Sequence, residues 1–187
     1  MKAIKIPLES HLWTKRGIKC PYKIIKEMFS SYSLESYKTF LNEYSYYVLE
    51  IKKRYKGTAG DMVYRFFILH SMFRACYTIF KKPKGFEKRK LTVPKTDNFN
   101  DFYLGSLTLE EYLNPYMTFK NIFTMVSLED LDYFSADYIQ DALKEKQIFE
   151  VYYQIPPIYL YKLLDACWLI HKRGYLKDSE ELLSTTK

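Results

Sequence analysis

Residues 62–80, MVYRFFILHSMFRACYTIF, constrain the fold more than any other part of the chain. A helix at the surface of a protein keeps one polar face, whereas this stretch is apolar on nearly every side; such a helix is surrounded by other helices or by lipid. Arg65, His70 and Arg74 interrupt it. Ionised side chains at the depth of a bilayer are costly, and no run of roughly 18 uncharged apolar residues occurs anywhere in the sequence. The segment is therefore expected to be the central helix of a bundle, with Asp61 as its cap after the breakers Gly57 and Gly60.

The periodicity on either side supplies that helix with neighbours. From Pro21 to the Ser30-Ser31 pair, Ile24, Ile25, Met28 and Phe29 recur at helical spacing. A second helix is expected from Ser33, a suitable N-cap, to about Tyr55, with Tyr37, Phe40, Leu41, Tyr44, Tyr47, Val48 and Ile51 on its buried face. Thr108 and Glu111 have the spacing of a capping box, flanked by Leu107 and Tyr112 as a hydrophobic staple. Pro115 opens a helix reaching about Val126, and Ser127 or Ser135 opens the next. Pro157 suits the first turn of a last helix, expected to stop at Gly174, with Leu160, Leu163, Leu164, Cys167, Trp168 and Ile170 inward. The expected fold is all-α, a single domain over residues 1–187: a bundle of about six helices with one long basic loop at about 81–105, where periodicity is lost.

Charge is divided unevenly along the chain. Residues 1–95 hold 21 Lys and Arg against 7 Asp and Glu, and residues 96–187 hold 8 against 15, within a net charge of +7. A basic half can form a face that holds phosphates, or the two halves can neutralise each other across one fold. The densest cations are Lys81, Lys82, Lys84, Lys88, Arg89, Lys90 and Lys95, interleaved with Phe80 and Phe86. A flexible arm of this composition would contact the backbone of RNA or single-stranded DNA and stack a base; the plain alternative is a solvated loop.

Other chemistries find little support. Cys20, Cys76 and Cys167 form no CxxC pair and read as buried thiols of a reducing compartment. With no apolar leader at the N-terminus, the expected location is cytoplasmic and no membrane partner is expected. Asp137, Asp141 and Glu145 line one helix face without a second acidic element, so they read as a solvated face; no metal and no cofactor are expected. There is no GxSxG and no Gly-rich phosphate loop. Of three histidines, His11 belongs in a loop, His171 in the last turn of a helix and His70 in the central one.

Arg65 and His70 have the R-x4-6-H spacing of the HEPN ribonucleases, and residues 34–80 resemble the helix pair of that family of small helical bundles. The resemblance implies metal-independent RNA cleavage in a cleft formed by two protomers. Arg65 would stabilise charge on the scissile phosphate and His70 would move a proton to or from a ribose oxygen. The chain departs from the pattern at Phe66, where the family usually has a polar residue. At about 100° per residue, Arg65 and His70 also project roughly 140° apart on a straight helix, whereas His70 and Arg74 share a face. A core role is the alternative: His70 bonded to a neighbouring carbonyl, with Arg65 and Arg74 paired to acids of the C-terminal half.

A further alternative is a non-catalytic interaction protein, an adaptor, regulator or inhibitor acting on a nucleoprotein or on its own oligomer. The chain has 19 tyrosines, and Tyr46, Tyr152, Tyr153, Tyr159 and Tyr161 fall off the inferred core stripes. Tyrosine is enriched at interfaces because it buries much area and still makes a hydrogen bond.

Overall fold

Eight α-helices and no strand make up the regular structure of the described residues, which in the computed structural model are 20–48, 58–93, 104–143 and 156–184. In chain order they are α1 (Pro21–Ser31), α2 (Leu34–Val48), α3 (Ala59–Phe80), α4 (Pro83–Lys88), α5 (Leu109–Leu113), α6 (Pro115–Met125), α7 (Leu128–Leu143) and α8 (Ile158–Ser184). As its composition demands, α3 is central: it packs on α1, α4, α6, α7 and α8. Met62, Phe66, Ile68, Leu69, Met72, Phe73, Cys76 and Ile79 of α3 are all buried. The second core element is α8, which touches α1, α2, α3, α5 and α6 and buries Leu160, Leu163, Leu164, Cys167 and Ile170; Trp168 is half-buried. Cys76 and Cys167 face each other at 3.2 Å where α3 crosses α8. No described helix is long and apolar enough to cross a membrane.

Local capping chemistry sets several boundaries. The Ser33 hydroxyl accepts the Ser36 N–H at 3.1 Å and opens α2. Thr108 and Glu111 form the expected capping box, and Ser127 and Asp130 exchange equivalent bonds at the start of α7. Ser135 lies inside α7, buried, with its hydroxyl donated to the Leu131 carbonyl.

Four expectations need correction. Asp61 is not the cap of α3: Thr58 is, and Asp61 is the acid three residues on whose carboxylate returns to the Thr58 N–H and hydroxyl, so Gly60 lies in the first helical turn. Helix α8 does not stop at Gly174 but continues to Ser184, which places His171 in mid-helix. The stretch after Lys81 is not irregular throughout, because Pro83 sits in the first turn of α4 and Phe86 anchors that helix in the core at 2% exposure. Together with the five-residue α5, this raises the helix number above six. Cys20, the residue preceding α1, is only partly covered. The proposed ends of α2 beyond Val48, the side chains of Tyr44, Tyr47 and Val48, and the loop residues 94–103 lie outside the described residues.

Candidate functional site

The basic stretch is pinned to the bundle rather than free of it. Lys81 lies over the rings of Tyr77 and Phe80 at 5.1 and 5.3 Å. Phe80 is half-buried with its ring 5.7 Å from that of Phe123, and Phe86 packs at 5.7 Å from Tyr116. Phe86 is thus a core residue, not a base-stacking one, because one side of a six-residue helix must be buried for it to hold. Lys82, Lys84, Lys88, Arg89 and Lys90 are exposed around it, and Lys95 lies outside the described residues. Lys90 adopts φ 50°, the left-handed conformation that commonly ends a helix, and donates its N–H to the Glu87 carbonyl at 3.0 Å.

That turn sends the chain back along α8. Arg173 donates one guanidinium nitrogen to the Leu91 carbonyl at 2.9 Å and the other to the Tyr112 carbonyl at 2.5 Å. Fixed in this way, Arg89 and Leu91 reach the N-terminal end of α1, where with Lys23, Lys26, His171 and Gly174 they line a cavity of about 280 Å³. Cys20, Tyr22 and Ile170 complete its wall. The Arg89 guanidinium lies 4.0 Å above the centre of the Tyr22 ring. Neither Lys23 nor Lys26 has an ion-pair partner among the described residues.

His171 rests between aromatic neighbours, its ring 5.5 Å from Trp168 and 5.4 Å from Phe29. Lys172 covers the other part of Trp168 at 4.7 Å. Burial first, and then the positive charges of Lys172 and Lys26, push the His171 imidazole below its ordinary pKa. Burial likewise raises the Tyr22 phenol, against the opposing pull of Arg89. The cavity is therefore a place of positive potential with part of an aromatic wall.

Elsewhere the opposite charges of the two halves do meet. Arg74 on α3 binds Asp132 on α7 at 2.7 Å, and Lys38 on α2 binds the fully buried Asp165 on α8 at 2.6 Å. Within the C-terminal half, Lys162 reaches Glu111 at 2.5 Å, and Asn121 donates to the same carboxylate at 3.2 Å. Burial opposes ionisation of Glu111, but the bonds from Lys162, the Thr108 N–H and Asn121 outweigh it and hold the carboxyl below its usual range.

Arg65 and His70 have different surroundings. The Arg65 guanidinium lies over the rings of Tyr32 and Phe40, at 5.7 and 5.1 Å. His70 Nδ1 is 3.6 Å from Asp132 Oδ1, beside the Arg74 contact to the same carboxylate. The shared face of His70 and Arg74 is thus occupied by one acid of the C-terminal half.

Tyr159 and Tyr161 are half-buried and have partners within the fold: the Tyr161 hydroxyl donates to Asn42 at 2.7 Å, and the Tyr159 hydroxyl is 4.0 Å from the Met125 sulfur. The side chains of Tyr46, Tyr152 and Tyr153 lie outside the described residues, as do those of Asp141 and Glu145. Among the described residues, no group of three or more His, Cys, Asp or Glu side chains is placed to hold a metal ion.

Comparison with known proteins adds no relative: no family model, no curated protein and no solved structure matches the chain. Sequence reasoning singled out Arg89 but gave Lys23 and Lys26 no role, took Gly174 for a helix stop and placed His171 in the last turn of a helix. Nothing local marks them, because their convergence depends on how α1 packs against α8.

Proposed function

We propose that the chain is a nucleic-acid-associated helical protein whose contact surface is the basic stretch 81–90 together with the cationic cavity beside it. The observation that carries this is the meeting of Arg89 with Lys23 and Lys26 around one cavity. Some cations of the N-terminal half are paired with acids of the C-terminal half, as Arg74 and Lys38 are. At the cavity, Lys23 and Lys26 have no ion-pair partner among the described residues and share one space with Arg89, and cations gathered in this way attract phosphates and release their counterions.

Replacing Lys84, Lys88, Arg89 and Lys90 with Gln should weaken binding of single-stranded RNA or DNA and flatten its salt dependence. Loss of four phosphate contacts would reduce the slope of log K against log salt by about 3, at roughly 0.7 per contact on a single strand. Unchanged affinity and slope would remove the stretch from the contact surface.

In the catalytic form of this proposal, HEPN-like and independent of metal, His70 transfers the proton and Arg65 stabilises the phosphate. The Asp132 carboxylate supports it as an acid beside the imidazole, 3.6 Å from His70 Nδ1 and so longer than a hydrogen bond. His70→Ala and Arg65→Ala should then abolish cleavage of single-stranded RNA measured in EDTA while melting within about 1–2 °C of the parent, the shift expected of a change of about 0.5 kcal/mol. A parent that leaves RNA intact, with His70→Ala merely less stable, would end the nuclease proposal. Tyr133, 70% exposed, and the exposed Met125 favour the second reading, a protein-binding surface without catalysis. A chain that binds no nucleic acid but protects these positions from hydrogen exchange at high concentration would support it.

A further inference from the structure

The lining of the cavity between α1, the turn after α4 and α8 combines two chemistries. Lys23, Lys26 and Arg89 bring positive charge, while Leu91 and Ile170 bring apolar surface. His171 contributes an imidazole that can donate a hydrogen bond and accept a proton. Gly174 contributes room, since a Cβ built there meets nothing within 4 Å.

We infer that this cavity binds a terminal phosphomonoester, the end phosphate of a single-stranded nucleic acid or of a mononucleotide, with the adjoining sugar against Leu91 and Ile170. Volume is the first argument. About 280 Å³ lies at the small end of ligand pockets, which run from roughly 300 to 1,000 Å³, so the cavity takes one end group rather than a length of strand.

Charge is the second argument. A backbone diester carries one negative charge, whereas a monoester carries about 1.5 to 2 near pH 7 and offers three acceptor oxygens. Lys23 and Lys26, which have no ion-pair partner among the described residues, and an imidazole around one space match the monoester. A dianion placed there also offsets the positive charges of Lys172 and Lys26 that, with burial, disfavour protonation of His171.

Preorganisation is the third. Stacking on Tyr22 and the anchoring of Leu91 by Arg173 hold Arg89 at the cavity before any ligand arrives. The inference rests on the nucleic-acid proposal only for the identity of what carries the phosphate.

One oligoribonucleotide prepared with a 5′-phosphate, with a 3′-phosphate or with hydroxyls at both ends tests it, by fluorescence anisotropy at fixed salt. A phosphorylated form should bind about tenfold tighter or more, the gain expected of one or two hydrogen bonds to a charged group. A nucleoside monophosphate should compete where the nucleoside does not. Lys26→Gln should erase the preference by removing charge. Gly174→Leu should erase it by filling the cavity with every charge kept, so the two variants separate the site from general basicity.

Equal affinity for all three oligonucleotides would overturn the end-group site and leave the nucleic-acid proposal standing. Preference that survives both substitutions would also overturn it, placing end recognition elsewhere. Binding of the monophosphate without any oligonucleotide would keep the site and end the nucleic-acid proposal, and binding of neither would end both.

Discussion

Lys38→Met would leave Asp165 as a carboxylate among helices with its cation gone. The Asp165 side chain is 0% exposed and that of Lys38 23%, with nitrogen and oxygen 2.6 Å apart, and the Ser106 hydroxyl donates to the other carboxylate oxygen at 2.5 Å. Burial already raises the Asp165 carboxyl above its usual range, with Lys38 and Ser106 only partly opposing it. Breaking a buried pair from one side costs about 3–5 kcal/mol. The partial exposure of Lys38 places this case near the lower end, about 3 kcal/mol, hence a melting temperature lower by about 6–12 °C at pH 7 for a chain of this size. A carboxyl whose folded pKa exceeds its unfolded value contributes stability below the unfolded pKa, and that contribution is lost as the pH rises through the folded pKa. Without Lys38 the folded pKa rises further, so the deficit should shrink towards pH 5 and be largest at pH 8. Adding Asp165→Asn removes the charge, keeps an acceptor for Ser106 and should restore most of the loss. Thermal melts of the parent, the single variant and the double variant at pH 5, 7 and 8 decide the matter. A Lys38→Met protein with the pH dependence of its parent, or one that Asp165→Asn fails to rescue, refutes the buried-charge argument.

Phe86→Ala should cost about 3–5 kcal/mol, seen as a melting temperature lower by at least roughly 6 °C, because a core aromatic is lost. A base-stacking arm would instead lose RNA affinity with no change in the melt. Lys90→Gly should stabilise the fold by about 0.5–1 kcal/mol, since only glycine takes φ 50° without steric cost, whereas Lys90→Ala should not; chemical denaturation compares the two. Gly174→Ala, in mid-helix with open space for its Cβ, should raise stability by about 1 kcal/mol, and a neutral or negative effect would contradict the continuous helix through this point.

What was legible in the sequence is what depends on near neighbours. The caps at Ser33 and Thr108 and the helix starts at Pro21 and Pro115 each follow from residues two to four apart, and the structure has them where the spacing puts them. The centrality of α3 was legible for a different reason: an all-round apolar helix interrupted by Arg65, His70 and Arg74 finds its environment among other helices. The misreadings come from weak local signals overruled by packing. Gly174 is a poor helix former, at a cost of about 1 kcal/mol, but the turns before it are anchored by the core stripe and by Arg173, and α8 runs on through it to Ser184. Phe86 looked available because its flanks are all charged, yet a single aromatic on one side of a short helix suffices to dock it.

The charge asymmetry posed two outcomes, a basic face or mutual neutralisation, and both occur in different places for one physical reason. A cation that folding takes out of water needs compensating acceptors: Lys38 and Arg74 sit opposite Asp165 and Asp132, acids distant in sequence, and Arg173 is met by the Leu91 and Tyr112 carbonyls. A cation left in water is under no such demand, and Lys23, Lys26 and Arg89 are exposed at the rim of their cavity. Charge counts along the sequence cannot separate the two groups, because the separation is made by burial and burial by packing. Once it is made, cations without an acid partner among the described residues are left to meet an anion from outside, and two of them, Lys23 and Lys26, line the same cavity.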